Sequence, residues 1–225
     1  MRPKIYPVIH YLTAESAMRN AEVAFDAGCD GVFLIHMEHV DRLLEPAARA
    51  IKARWPDRLV GINYLTLPAD VALGRNLRAG LDMTWTDNAG LNTLETSVFA
   101  ESLGRVLRAH PEHLFFGGAA FKYQADEPDP EGAAKRGIRN GMVPTTSGSG
   151  TGRAADVDKV ALMSEGADGL LAIASGITPE NVLDYSPFVS HILVASGVSV
   201  DEHTLDYEAL CRLRGKLESA APAAE

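Results

Sequence analysis

The chain has little of what disulfide-stapled, membrane-spanning or nucleic-acid-binding proteins need. Among 225 residues there are two cysteines, Cys29 and Cys211. They are too few and too far apart for a disulfide framework or a cysteine metal knuckle, and both read as core fillers. Positive charge is also short, with 21 Lys and Arg against 30 Asp and Glu and a formal net charge of -9. Nucleic acids and anionic membrane surfaces are bound through a surplus of Lys and Arg, so neither partner is expected and any phosphate must be held locally. No apolar run approaches the roughly 20 residues of a membrane span. The opening stretch MRPKIYPVIHYL is basic, but its apolar part is short and interrupted by Pro7 and His10, so it reads as a first strand and the chain as cytoplasmic. The run His36-Met37-Glu38-His39 lacks the His-Glu-x-x-His spacing, and a strand end turns alternate residues away from each other. No metal and no cofactor are therefore expected.

What is present is a repeated joint. Gly28-Cys29-Asp30-Gly31, Gly80-Leu81-Asp82-Met83 and Gly166-Ala167-Asp168-Gly169 each follow a helical pattern and precede an apolar run. Glycine in the left-handed conformation stops a helix, and the Asp then turns the chain into a strand. Apolar runs place strand starts near Ile5, Gly31, Leu59, Met83, His113, Met142, Gly169 and His191. Between them, sets such as Val40, Leu43, Leu44, Ala47, Ala48, Ile51 and Val157, Val160, Ala161, Ser164 recur near a period of 3.6. Eight such units predict an α/β fold, a (β/α)8 TIM barrel with a parallel eight-stranded barrel inside outer helices. A doubly wound open sheet is the alternative. It more often carries a glycine fingerprint in its first turn, which here is Tyr11-Leu12-Thr13-Ala14. One barrel domain is expected over residues 1–218, with 219–225 (SAAPAAE) a disordered tail.

In a barrel of this kind chemistry sits where strands end. Those ends supply His10, then His36 with Glu38, Asn63, Asp87 with Asn88, Lys122 after the run Leu114 to Phe121, and Thr146. Asp87 is the best carboxylate for proton transfer. Lys122 is suited to holding a phosphate or carboxylate, or to a Schiff base. His10 reads equally as catalytic or as a hydrogen-bonded core histidine. Asn63, Asn88, Thr146, His36 and Glu38 are candidates for orienting substrate. Two apolar runs end in Ala-Ser-Gly, giving Ser175-Gly176 and Ser196-Gly197 as a phosphate grip after strands seven and eight. Thr178 reads as the N-cap, and Pro179 as the first residue, of a helix that favours an anion. The loop Ser147 to Arg153 adds Gly150 and Arg153 as further phosphate contacts.

Ser149-Gly150-Thr151-Gly152, Ser175-Gly176-Ile177-Thr178-Pro179-Glu180-Asn181, the last Ala-Ser-Gly, His10 and Lys122 together resemble the BtpA/SgcQ family across nearly the whole chain. The turn Tyr11-Leu12-Thr13, the Glu38-His39 pair and Tyr123-Gln124 after Lys122 depart from that family's pattern. The resemblance implies a phosphate-binding (β/α)8 barrel, with a nucleosidase label on some members. The first expectation is an enzyme acting on a phosphorylated sugar or a phosphoribosyl or nucleoside compound, with C–N glycosidic bond chemistry. A Schiff-base aldolase or isomerase using Lys122, and a non-catalytic assembly or regulatory factor, are the alternatives. A phosphorylated small molecule is the expected partner, and a homo-oligomer follows from the prevalence of symmetric assemblies.

Overall fold

The computed structural model describes residues 2–150 and 152–220. Strands and helices alternate through β1 (Lys4–His10), α1 (Ala14–Asp26), β2 (Gly31–Ile35), α2 (Leu44–Arg54), β3 (Leu59–Ile62), α3 (Ala69–Arg78), β4 (Met83–Thr86), α4 (Val98–Arg108), β5 (Leu114–Gly118), α5 (Pro130–Arg139), β6 (Val143–Ser147), α6 (Val157–Gly166), β7 (Ala172–Ala174), α7 (Val182–Tyr185), β8 (His191–Val194) and α8 (Tyr207–Ala220). A small hairpin, β9 (Ser199–Asp201) with β10 (Thr204–Leu205), lies between β8 and α8. The eight strands pair in parallel in sequence order, and β8 returns to β1 through Ile5↔Ile192 and Tyr6↔Leu193. This is a closed (β/α)8 barrel, which excludes the open sheet.

Closure buries both faces of each strand, so alternate residues serve two cores. Tyr6, Phe33, Met83, Trp85, Phe116, Val143, Ala172 and Leu193 fill the barrel interior. Ile5, Ile9, Val32, Leu34, Val60 and Ile62 point outward onto the helices. On α2 the inward stripe is Leu44, Ala47, Ala48 and Ile51, while Leu43 is exposed. On α6 the expected face needs correction. Val160, Met163 and Gly166 are buried, while Val157 is exposed and Ser164 only half-buried. The helix starts on an Asp156 cap, and its buried stripe follows Val160 and Met163, which the Val157-based set did not track.

The Gly-x-Asp joints do more than turn the chain. The Asp30 carboxylate accepts the Ile5 N–H at 2.9 Å and pairs with Arg2 at 2.8 Å. Asp82 repeats this one unit pair later, accepting the Val60 N–H at 2.9 Å and pairing with Lys52 at 2.8 Å. Each carboxylate thus staples the strand it introduces to the preceding one at the floor of the barrel. Asp168 departs from the pattern. It and Gly169 both have positive φ, 49° and 76°, so the chain is still turning there and β7 starts at Ala172, not Gly169.

Two other expectations change. β5 ends at Gly118, because Ala120 (φ 46°) and Tyr123 (φ 65°) bend the apolar run Ala119 to Phe121 into a loop. Ser219 and Ala220, expected in the tail, complete the last turn of α8, and the rest of that tail, 221–225, lies outside the described residues. Among the described residues no helix is long and apolar enough to cross a membrane.

Candidate active site

The interior aromatics fix which side chains reach the mouth. Tyr6, Phe33, Trp85 and Phe116 meet edge to face, with ring centroids 5.3 to 6.1 Å apart. Counting on by twos leads from Tyr6 through Val8 to His10, from Phe33 through Ile35 to Met37, and from Met83 through Trp85 to Asp87. All of these beyond the aromatic floor line one cavity of about 330 Å³ at the C-terminal end of the barrel.

Residues of the other parity are turned away, which corrects four expectations. His36 is buried against the Tyr11 ring, its Nδ1 accepting the Glu38 N–H at 3.2 Å. Glu38 is exposed beyond it and is not part of the cavity wall. Thr146 is buried outside the interior and donates to the Ala120 carbonyl at 3.3 Å. Asn88 is exposed outside this cavity, in an adjoining depression that it shares with Asp87 and Lys122, and accepts the Gly90 N–H at 2.9 Å, a local turn bond of the kind short polar side chains favour. Met37 and His39 stand in the wall where His36 and Glu38 were expected.

Asp87, Lys122 and His10 do converge. Asn63, itself buried, donates its amide to Asp87 Oδ1 at 2.9 Å, so it orients the carboxylate and is not itself part of the cavity wall. Burial pushes the Asp87 carboxyl above its ordinary value, and the Asn63 hydrogen bond and the Lys122 charge only partly offset this. The Lys122 ammonium donates to Ser175 Oγ at 3.1 Å. His10 is half-buried, and its basicity is lowered first by desolvation, with Glu202 opposing and His203 and Lys122 adding to the effect. Its Nδ1 is enclosed without a hydrogen-bond partner among the described residues. A raised carboxyl and a weakened imidazole flanking one cavity have their proton affinities drawn closer together, which suits them to exchanging protons.

The opposite wall is built of small residues. Ser175, Gly176, Ser196 and Gly197 all line the cavity, joined by Gly152. Both glycines are required by close packing of the loops. A Cβ on Gly197 would stand 1.9 Å from the Ile177 carbonyl, and one on Gly176 would stand 2.3 Å from the Ala154 nitrogen. Gly176 also has φ 71°, as does Ser175, where a side chain is strained.

The expected helix at Thr178 is not there. Thr178 Oγ1 accepts the Glu180 N–H at 3.1 Å, Asn181 Oδ1 accepts the Thr178 N–H at 2.9 Å, and only the four-residue α7 follows. The segment is consumed by turn hydrogen bonds, so any anion grip comes from the strand-end loops. Gly150 and Arg153 are likewise absent from the cavity wall. Arg153 is exposed and donates its backbone N–H to the Gly150 carbonyl at 3.1 Å. Thr151 lies outside the described residues.

Two supporting side chains escaped the sequence reading. Gln124 donates to the Asp87 carbonyl at 2.6 Å, tying the Lys122 loop to the end of β4. Lys159, on α6, donates to the carbonyls of Ala120 at 3.1 Å and Ser147 at 2.7 Å, anchoring the same loop to β6. Neither carries a sequence signal, since each partner is a backbone carbonyl far along the chain. The apolar liners Met37, Leu65 and Trp85 were also missed, although the parity of the interior aromatics marks Met37 and Trp85. Among the described residues no set of three or more His, Cys, Asp or Glu side chains is grouped to hold a metal ion.

No protein-family model matches the chain, and no curated protein matches it in sequence. Solved structures do match in fold. Phosphoribosyl anthranilate isomerase from Thermus thermophilus is 18% identical at a TM-score of 0.70, over 97% of this chain and 100% of that one. KGPDC from Streptococcus mutans is 10% identical at a TM-score of 0.73, over 99% and 100%. A 3-hexulose-6-phosphate synthase is 15% identical at 0.69, over 94% and 98%. At these identities the likeness is one of fold: along nearly its whole length the chain shares the (β/α)8 barrel of these proteins.

Proposed function

We propose that the protein is an enzyme acting on a phosphorylated sugar or on a phosphoribosyl or nucleoside compound. One observation carries this reading. The two Ser-Gly strand ends, Ser175-Gly176 and Ser196-Gly197, share a single cavity with Asp87, Lys122 and His10. Glycine at two adjacent strand ends lets main-chain donors approach an anion closely. The names of several proteins with the same fold refer to phosphorylated or phosphoribosyl compounds, which supports the reading without deciding the reaction.

In this scheme the phosphate sits against Ser175, Gly176, Ser196 and Gly197, and Lys122, already in contact with Ser175, balances its charge. That contact favours an anion-holding lysine over a Schiff-base one. The sugar then lies toward Asp87. Its Oδ1 is held by Asn63, which leaves the other oxygen to move a proton or to face an oxocarbenium-like carbon during cleavage or formation of a C–N bond. His10, at the end of β1, is the second proton carrier.

Thermal unfolding with a phosphosugar panel tests the reading. A ligand present at about 100 times its Kd should stabilise the protein by about 2.7 kcal/mol. If no phosphosugar and no inorganic phosphate raises the midpoint, the reading is wrong.

A further inference from the structure

The cavity has two chemically different walls, and their placement follows from the ring order. In a closed ring of eight strands β3 stands across from β7 and β4 across from β8. The Ser-Gly pairs follow β7 and β8. The facing wall is made by Met37 after β2, Leu65 after β3 and Trp85 on β4, with Ile35 beneath and His39 exposed at its rim. Resting on the phosphosugar reading above, we infer that the substrate carries, at the end away from its phosphate, a neutral planar aromatic substituent that lies against Met37, Leu65 and Trp85.

Three observations lead there. A bare phosphosugar would turn hydroxyl groups toward a thioether, an aliphatic chain and an indole ring, where they would lose their water without gaining partners. Trp85 is fixed by edge contacts with Phe33 at 6.0 Å and Phe121 at 6.2 Å, so this wall is a preformed surface. Met37 is 40% exposed, and its soft, flexible side chain adapts well to an aromatic face. At the same rim the Tyr123 ring is 79% exposed on a backbone held at φ 65°, a second aromatic surface beside Lys122.

Charge narrows the class. Among the described residues lining the cavity, Lys122 is the sole Lys or Arg, and its ammonium contacts Ser175 on the phosphate side. The apolar wall therefore offers no Lys or Arg to a carboxylated ring, and the His39 imidazole that follows Met37 is exposed at its rim. An uncharged ring matches it, and about 330 Å³ is at the low end for small-molecule sites, room for one ring beyond a phosphosugar.

Isothermal titration calorimetry with three probes decides the matter: ribose 5-phosphate, uridine 5′-monophosphate with a neutral ring, and orotidine 5′-monophosphate with a carboxylated one. The expected result is that uridine 5′-monophosphate binds at least about tenfold more tightly than ribose 5-phosphate and than the carboxylated analogue. Leu65→Asp, and separately Met37→Asp, should remove most of that advantage in protein shown by circular dichroism to be folded. Equal affinities for ribose 5-phosphate and uridine 5′-monophosphate, within about twofold, overturn the aromatic substituent and leave the phosphosugar reading standing. Tightest binding of the carboxylated analogue overturns the neutral ring. Failure of all three to bind overturns this inference and the phosphosugar reading together.

Discussion

The two ends of the barrel are built on opposite terms. At the floor, carboxylates meet backbone N–H groups and basic side chains, as Asp30 does with Ile5 and Arg2, and histidines are buried neutral. His191 stacks on Tyr6 at 5.7 Å and meets the Phe116 edge at 5.3 Å, and burial with the nearby Lys4 charge pushes its pKa down to about 4. His113, also lowered by burial, donates from Nδ1 to the Leu81 carbonyl at 3.1 Å and accepts from Thr84 at 2.8 Å. At the mouth a half-buried carboxylate accepts from the Asn63 amide, and among the described residues His10 Nδ1 meets no hydrogen-bond partner. Of the five non-glycine residues with positive φ among the described residues, His39, Ala120, Tyr123 and Ser175 belong to mouth loops and Asp168 to the floor. Each such residue costs on the order of 1 to 2 kcal/mol. The floor supplies stability, and the mouth holds its polar groups at a cost to it.

The largest effect that could break this contrast is a truncation at the floor. Phe116→Ala removes a fully buried ring from the aromatic cluster and should destabilise by about 3 to 5 kcal/mol in urea unfolding, with ligand affinity of the folded fraction unchanged. A loss of affinity as large as the loss of stability would mean that the two ends are not separable.

Acid should find the floor next. The folded pKa of His191 lies below its ordinary 6.5, so between about pH 6.5 and 4 the unfolded chain binds more protons than the folded one. Stability is then fully present above pH 6.5 and falls as pH drops toward 4, by about 3 kcal/mol for this group. His113 acts in the same direction. His191→Gln should flatten that slope in unfolding midpoints measured against pH, and an unchanged slope would assign acid sensitivity elsewhere.

The smallest effect has the opposite sign. The Asp87 carboxyl is raised in the folded state, so at neutral pH its ionisation favours the unfolded chain. Asp87→Asn, which can still accept from Asn63, should leave stability unchanged or raise it by up to about 1 kcal/mol while abolishing turnover. Ser175→Gly should likewise gain about 1 kcal/mol by relieving φ 71°, while weakening the grip on an anion. Destabilisation by both would mean that the mouth is ordinary core.

The same contrast explains what could be read from sequence. The barrel was legible because apolar runs, helical stripes and Gly-x-Asp joints recur in local order, and strand starts fell within a few residues except at β7. That Asp87, Lys122, His10 and the two Ser-Gly pairs line one cavity was legible because each stands at a strand end or in the loop just after one. His36, Glu38, Asn88 and Thr146, which do not line that cavity, also stand near strand ends, but on the outward parity, which only the inward direction of Tyr6, Phe33 and Trp85 settles. Thr178 looks like a helix cap because its sequence fits one, yet Asn181 closes the turn first. Gln124 and Lys159 act on backbone carbonyls 37 and 39 residues away, as with Asp87 and Ala120, and no local pattern encodes such reach.

The position of a bound anion separates the two ends most directly. A crystal structure of the protein soaked with ribose 5-phosphate should show the phosphate between Ser175-Gly176 and Ser196-Gly197, with Lys122 turned toward it and the sugar extending toward Asp87. A phosphate seated at the floor, or on the outer side of the Lys122 loop with the central cavity unfilled, would contradict it.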